Sequence, residues 1–80
     1  MKVRVLVSFK DSVLDPQGQT VKNALHTLGY KNISEVRQGK VFELDITDIS
    51  DSEIENIILE ISNKVLANPI IEKFTWEILE

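Results

Sequence analysis

Lys2-Val3-Arg4-Val5-Leu6-Val7-Ser8-Phe9 places an apolar side chain at positions 3, 5, 7 and 9. Successive side chains of a strand point to opposite faces, so this period of two marks a β-strand with one buried face, and the rest of the chain is read for what covers that face. Asp15-Pro16-Gln17-Gly18 starts a helix: Asp15 can accept from free backbone N–H groups, and Pro16 takes the first position, where a missing N–H costs nothing. Val21, Ala24, Leu25 and Leu28 then recur at helical spacing as a core-facing stripe, and Gly29 follows where a C-terminal cap belongs.

A short strand over residues 33–37 is expected to turn back through Gln38-Gly39 onto another over residues 41–47, whose Phe42, Leu44 and Ile46 share the buried face. Ser50 and Glu53 have the spacing of a capping box, opening a second amphipathic helix with Ile54, Ile57, Ile58, Ile61 and Val65 on its core stripe. Leu59 and Leu66 lie about 120–140° around from that stripe, at the core edge or on a partner-facing side. Asn68-Pro69 ends the helix, and Phe74, Trp76 and Ile78 alternate through a last strand over residues 70–79. The order βαββαβ predicts an α+β, ferredoxin-like domain spanning residues 1–80, with a four-stranded antiparallel sheet and two helices on one face.

In that plan the first strand lies between the third and the last. Its helix-free face then sets Lys2 and Arg4 against Glu43, Asp45 and Glu77, with Leu6, Val41 and Leu79 beside them. These eight residues are the candidates for self-association, although ion pairs on a solvated sheet have the same pattern.

The composition sets limits. Eighty residues, 42% hydrophobic and 28% charged, describe an ordinary soluble globule. A compact chain of this size exposes about 4,900 Å² and buries only about 63% of its unfolded surface. Without cysteine there is no disulfide, thiolate metal site or cysteine nucleophile, and a small core with no covalent staple raises the question of association. A net charge of −4 with no run of cations argues against nucleic acid as a partner. No apolar stretch approaches the roughly 20 residues that span a bilayer, and the N-terminus lacks a secretory signal's apolar core. The expected setting is cytoplasmic.

Materials for catalysis are few. His26 falls on the solvent side of the first helix with no motif around it. Gly18, Gly29 and Gly39 are isolated, outside any phosphate-cradling or nucleophile motif, and the acids near residues 48–55 suit a helix N-terminus. Phe9, Phe42, Phe74 and Trp76 fall on the helix-packed face, unlike the displayed aromatics of an RNA-binding sheet; the Trp76 indole N–H is expected near a partner or the domain edge. Two loops exceed what turn chemistry requires: Lys10 through Gly18, and Val36-Arg37-Gln38-Gly39-Lys40, where two cations flank a glycine and could hold an anion or a partner's carboxylate.

Val13-Leu14-Asp15-Pro16-Gln17-Gly18, then Val21, Ala24, Leu25 and Leu28-Gly29, then Val36-Arg37-Gln38-Gly39-Lys40, then Leu66-Ala67-Asn68-Pro69-Ile70-Ile71-Glu72 closely resemble, in order and over nearly the whole chain, the PurS subunit family of phosphoribosylformylglycinamidine synthase. Ser12 departs from the glycine that many members carry before the valine–leucine pair. The resemblance implies a small non-catalytic subunit of an ATP-dependent carbon–nitrogen ligase of purine biosynthesis. That complex converts formylglycinamide ribonucleotide, glutamine and ATP into the formylglycinamidine ribonucleotide. It further implies self-association as a dimer or tetramer, and a bridge between a PurL-type synthetase and a PurQ-type glutaminase that helps ammonia transfer. The implied chain holds no cofactor, and ATP and Mg belong to the synthetase. Asp15, Pro16, Gln17, Gly18, Arg37, Gly39, Lys40 and Asn68 are the residues expected to face the larger subunits. A regulatory small-ligand module of the same βαββαβ order is the alternative, and an acylphosphatase-like enzyme the third reading.

Overall fold

Val3, Val5 and Val7 are fully buried or nearly so, which makes the first strand, β1 (Lys2–Phe9), the spine of the molecule. The computed structural model describes residues 1–79. β1 is followed by α1 (Pro16–Thr27), β2 (Gly39–Asp45), α2 (Asp51–Ile61) and β3 (Glu72–Ile78). The sheet is antiparallel in the order β2-β1-β3, with Val5 between Phe42 and Trp76 and Arg4 between Glu43 and Glu77. The central position expected for the first strand is therefore found, together with the inner and outer faces read from its alternation.

α2 lies on the inner face. Ile54 and Ile58 are buried against the three valines, and Phe42, Leu44, Ile46, Leu66, Phe74 and Trp76 pack around them. Ser50 is the N-cap residue but makes no side-chain cap, since its hydroxyl pairs with that of Ser52, so the expected capping box does not form. A π-helical turn, Ser62–Leu66, ends the helix. One extra residue in a turn rotates everything after it by about 100°. This reverses the expected stripe: Val65 is exposed, while Leu66 and Ala67 reach the core.

Two expectations fail in the first half of the chain. The described residues form a three-stranded sheet, not a four-stranded one, because residues 33–37 pair with no strand. No hairpin turn closes at Gln38-Gly39: the Gln38 N–H is taken by the Asp15 carboxylate, and the chain passes directly into β2. The α1 stripe is likewise not in the core. α1 packs extensively on neither the sheet nor α2, and Val21 and Leu28 are exposed. The helix is nonetheless well terminated. The Tyr30 N–H reaches Leu25 O and the Gly29 N–H reaches His26 O, with Gly29 at φ +100°, a Schellman cap that an L side chain adopts only with strain. Helix and returning segment thus form a finger that extends the molecule to 50 × 27 × 14 Å.

Candidate functional site

Three loops separated in sequence meet where the finger joins the sheet. Asp15, only 3% exposed, binds both segments of the finger's root: Oδ1 accepts from the Gly18 N–H at 2.9 Å and Oδ2 from the Gln38 N–H at 2.6 Å. These two N–H groups, Gln38's first, hold the Asp15 carboxyl below its ordinary value, with Arg37 adding a smaller push and desolvation opposing. Gly18 is required by close approach, since a Cβ there would collide with the Val36 carbonyl oxygen. Pro16 takes the first helical turn as expected. Gln38 Nε2 donates to Gln17 Oε1 at 2.9 Å, and Arg37 donates to the Lys10 carbonyl at 3.0 Å.

Gly39 opens β2 instead of sitting in a turn; a Cβ there would lie 2.5 Å from Val7 O. Lys40 reaches Glu72 at 3.6 Å across the end of β1, and the Glu72 carboxylate also accepts from the Asn68 N–H at 2.7 Å. Asn68 in turn takes the Ile70 N–H on its side chain and the Ile71 and Glu72 N–H groups on its carbonyl, fixing the entry to β3. Val7, Ser8, Phe9, Gln17, Gln38 and Ile71 complete a concavity of about 320 Å³ with Gly39, Lys40, Asn68 and Glu72. The structure therefore brings Asp15–Gly18, Arg37–Lys40 and Asn68 to one end of the sheet. Of the two loop cations, Arg37 binds a backbone carbonyl and stays exposed, while Lys40 pairs with Glu72.

Sequence reasoning passed over Glu72 as a site residue. Its signal was available: Glu72 alternates in phase with Phe74 and Trp76, and Lys40 with Phe42 and Leu44, so both charges fall on the inner face, where a polar residue needs a partner. His26, expected on the solvent side, is partly covered by the returning segment, with Nε2 2.7 Å from Ile33 O. Trp76 is half-buried on the edge strand β3.

On the outer sheet face, Arg4 Nη2 lies 3.1 Å from Glu43 and Nη1 3.4 Å from Glu77. Lys2 and Asp45 face each other in register and line a shallow concavity with Glu43, Leu44 and Leu79. Leu6 and Val41 are exposed beside them. Both the ion pairs and the apolar patch read from the sequence are therefore present on the same face. Among the described residues there is no group of three or more His, Asp or Glu side chains placed to hold a metal ion, and no helix long and apolar enough to cross a membrane.

The profile of the family described as PurS, phosphoribosylformylglycinamidine (FGAM) synthase, matches residues 2–80. The phosphoribosylformylglycinamidine synthase subunit PurS of Bacillus subtilis is 46% identical over 79 residues, covering 99% of this chain and 93% of that subunit. Its C2 crystal form superposes with a TM-score of 0.90 over 99% of this chain and 98% of that one. PurS of Methanocaldococcus jannaschii, described as one of the subunits of formylglycinamide ribonucleotide amidotransferase in the purine biosynthetic pathway, is 30% identical, with a TM-score of 0.82 over 95% and 92% of the two chains. A chain of the PurLQS structure from Thermotoga maritima, at 22% identity, shares the fold with a TM-score of 0.83 over 95% and 93%.

Proposed function

We propose a bridging role for this chain, which belongs to the PurS family of FGAM synthase subunits. It is a subunit of the FGAM synthase complex of purine biosynthesis and not itself the catalyst, with the ligase chemistry carried out in the complex. The PurLQS assembly of the Thermotoga relative points to PurL-type and PurQ-type subunits as partners. The proposed setting is cytoplasmic, with ATP and Mg used on the synthetase, as the family resemblance implies.

One observation carries the docking assignment: three loops that the family resemblance singled out converge at the finger root. Asp15 and Glu72 hold their backbones in place there through hydrogen bonds. A rigid polar end suits a subunit that positions two larger ones. Ammonia released into solvent would protonate and diffuse away, so fixing the donor and acceptor sites against each other protects the transfer. Pro16, Gln17 and the aliphatic stems of Arg37 and Lys40 offer the contact surface around the concavity. The outer sheet face, with Leu6, Val41 and Leu79 around the Arg4 ion pairs, is a surface on which copies of the chain meet.

The test is co-purification of the Arg37→Ala/Lys40→Ala chain with the synthetase and glutaminase in the presence of glutamine and ADP. Complex recovery should fall while the circular dichroism of the isolated chain is unchanged. Wild-type recovery from the double variant would overturn the loop assignment.

A further inference from the structure

Val3, Val5 and Val7 lie in the core under α2, but Phe9, the next residue on that face, stays outside it and half-buried. With Val7 and Ile71 it supplies the apolar lining of the concavity at the finger root. The rest of the lining is polar, comes from separate stretches of chain, and has hydrogen-bonding capacity left over. Gln17 and Gln38 form a head-to-tail carboxamide pair, which leaves Gln17 an unused donor and Gln38 an unused acceptor among the described residues. Lys40 Nζ and Glu72 Oε2 stand 3.6 Å apart, an ion pair too long for a hydrogen bond. Glu72 Oε1 takes the Asn68 N–H, but among the described residues Oε2 accepts from no donor, although the side chain is only 10% exposed. A carboxylate so covered favours a donor on its second oxygen.

We infer that this concavity binds a free α-amino acid with a carboxamide side chain, of the glutamine class. A simple anion meets Glu72 and a simple cation meets Lys40, so neither suits the pair; a zwitterion suits both. The ligand's ammonium takes Glu72 Oε2 and its carboxylate takes Lys40 Nζ, so that charges of alternating sign adjoin one another. Its side-chain amide answers the Gln17 donor and the Gln38 acceptor together. A carboxylate in that place has no hydrogen to give Gln38. Gln38 and Lys40 flank Gly39, at most about 7 Å apart along the backbone, a span that glutamine reaches end to end. The volume of about 320 Å³ falls within the range of small-molecule sites, roughly 300–1,000 Å³.

The inference rests on the reading above for its meaning alone. Glutamine is the nitrogen donor that the family resemblance implies for the complex, and a site on the small subunit senses its supply without consuming it.

NMR titration of the ¹⁵N-labelled full chain with L-glutamine tests this, up to about 10 mM, ten times a millimolar Kd. Saturable amide shifts should centre on Gln17, Gln38, Gly39, Lys40 and Glu72. Glu72→Gln keeps an acceptor for the Asn68 N–H and removes the charge. It should weaken glutamine by about tenfold or more, the loss of one charge-assisted hydrogen bond, with unchanged circular dichroism. L-Glutamate should bind the wild type about tenfold more weakly than glutamine, and Gln38→Leu should erase that preference. Absence of a saturable shift, shifts centred elsewhere, equal binding of glutamate and glutamine by the wild type, or undiminished binding by Glu72→Gln overturns the site. If such a failure accompanies normal co-purification of the wild type with the larger subunits, only the site falls. Wild-type chain that binds glutamine as expected yet ignores those subunits upholds the site and overturns the bridging reading instead.

Discussion

Replacing Gly18 with alanine tests whether the finger root is a clasp. The added Cβ would run into the Val36 carbonyl oxygen, a backbone atom that cannot swing aside as a side-chain tip would. Overpacking of this kind costs about 1–3 kcal/mol, and a backbone obstacle belongs at the upper end. Alanine is also the better helix former by about 1 kcal/mol, which offsets part of the loss. The net is about 1–2 kcal/mol, a factor of about 5 to 30 in the opening of the root. The readout is native-state exchange of the Gln38 amide, whose hydrogen bond to Asp15 forms only when the finger's entry and exit segments lie together. Its exchange should quicken by that factor in Gly18→Ala. Gly29→Ala is the control: nothing lies within 4 Å of its Cβ, and its strain is confined to the finger's tip at φ +100°. Gln38 exchange in Gly18→Ala within twofold of wild type would refute the clasp.

Two further outcomes follow from the same geometry. The Asp15 carboxyl is held below its ordinary 3.8 by the Gln38 and Gly18 N–H groups, so the folded form binds a proton less readily than the unfolded one. That contribution is whole above the ordinary value and fades as pH falls below about 4 through the folded value. Gln38 protection, corrected for intrinsic exchange chemistry, should therefore drop in that window for the wild type and stay flat for Asp15→Asn; identical profiles would remove Asp15 as the cause. Ser62 is fully buried at the start of the π-helical turn, and its hydroxyl has no hydrogen-bond partner among the described residues. Ser62→Ala should stabilise the chain by up to about 1 kcal/mol, raising Tm by up to about 4–8 °C in thermal unfolding, and a lower Tm would show that the hydroxyl is satisfied.

What sequence alone determined about this protein is local. Alternation in residues 2–9, 41–47 and 72–78 set the strand faces, and through them the opposition of Arg4 to Glu43 and Glu77. Asp15-Pro16 and Gly29 set the ends of α1, because a cap depends only on residues a few positions away. The order of motifs likewise sufficed for the family.

Tertiary structure decided what lies across long separations. Amphipathic spacing says that Val21, Ala24, Leu25 and Leu28 seek an apolar surface, but it carries no information on whose surface that is. Where a hairpin was expected to turn, the Gln38 N–H is taken by a side-chain carboxylate 23 residues away. The π-helical turn after Ile61 exchanged Val65 for Leu66 in the core for the same kind of reason, since one inserted residue changes the phase of all that follow. Convergence of Lys40 and Glu72 at one end of the sheet arises from strand register, which is set by the pairing of whole strands and not by either residue, while loop hydrogen bonds bring Asp15, Arg37 and Asn68 beside them.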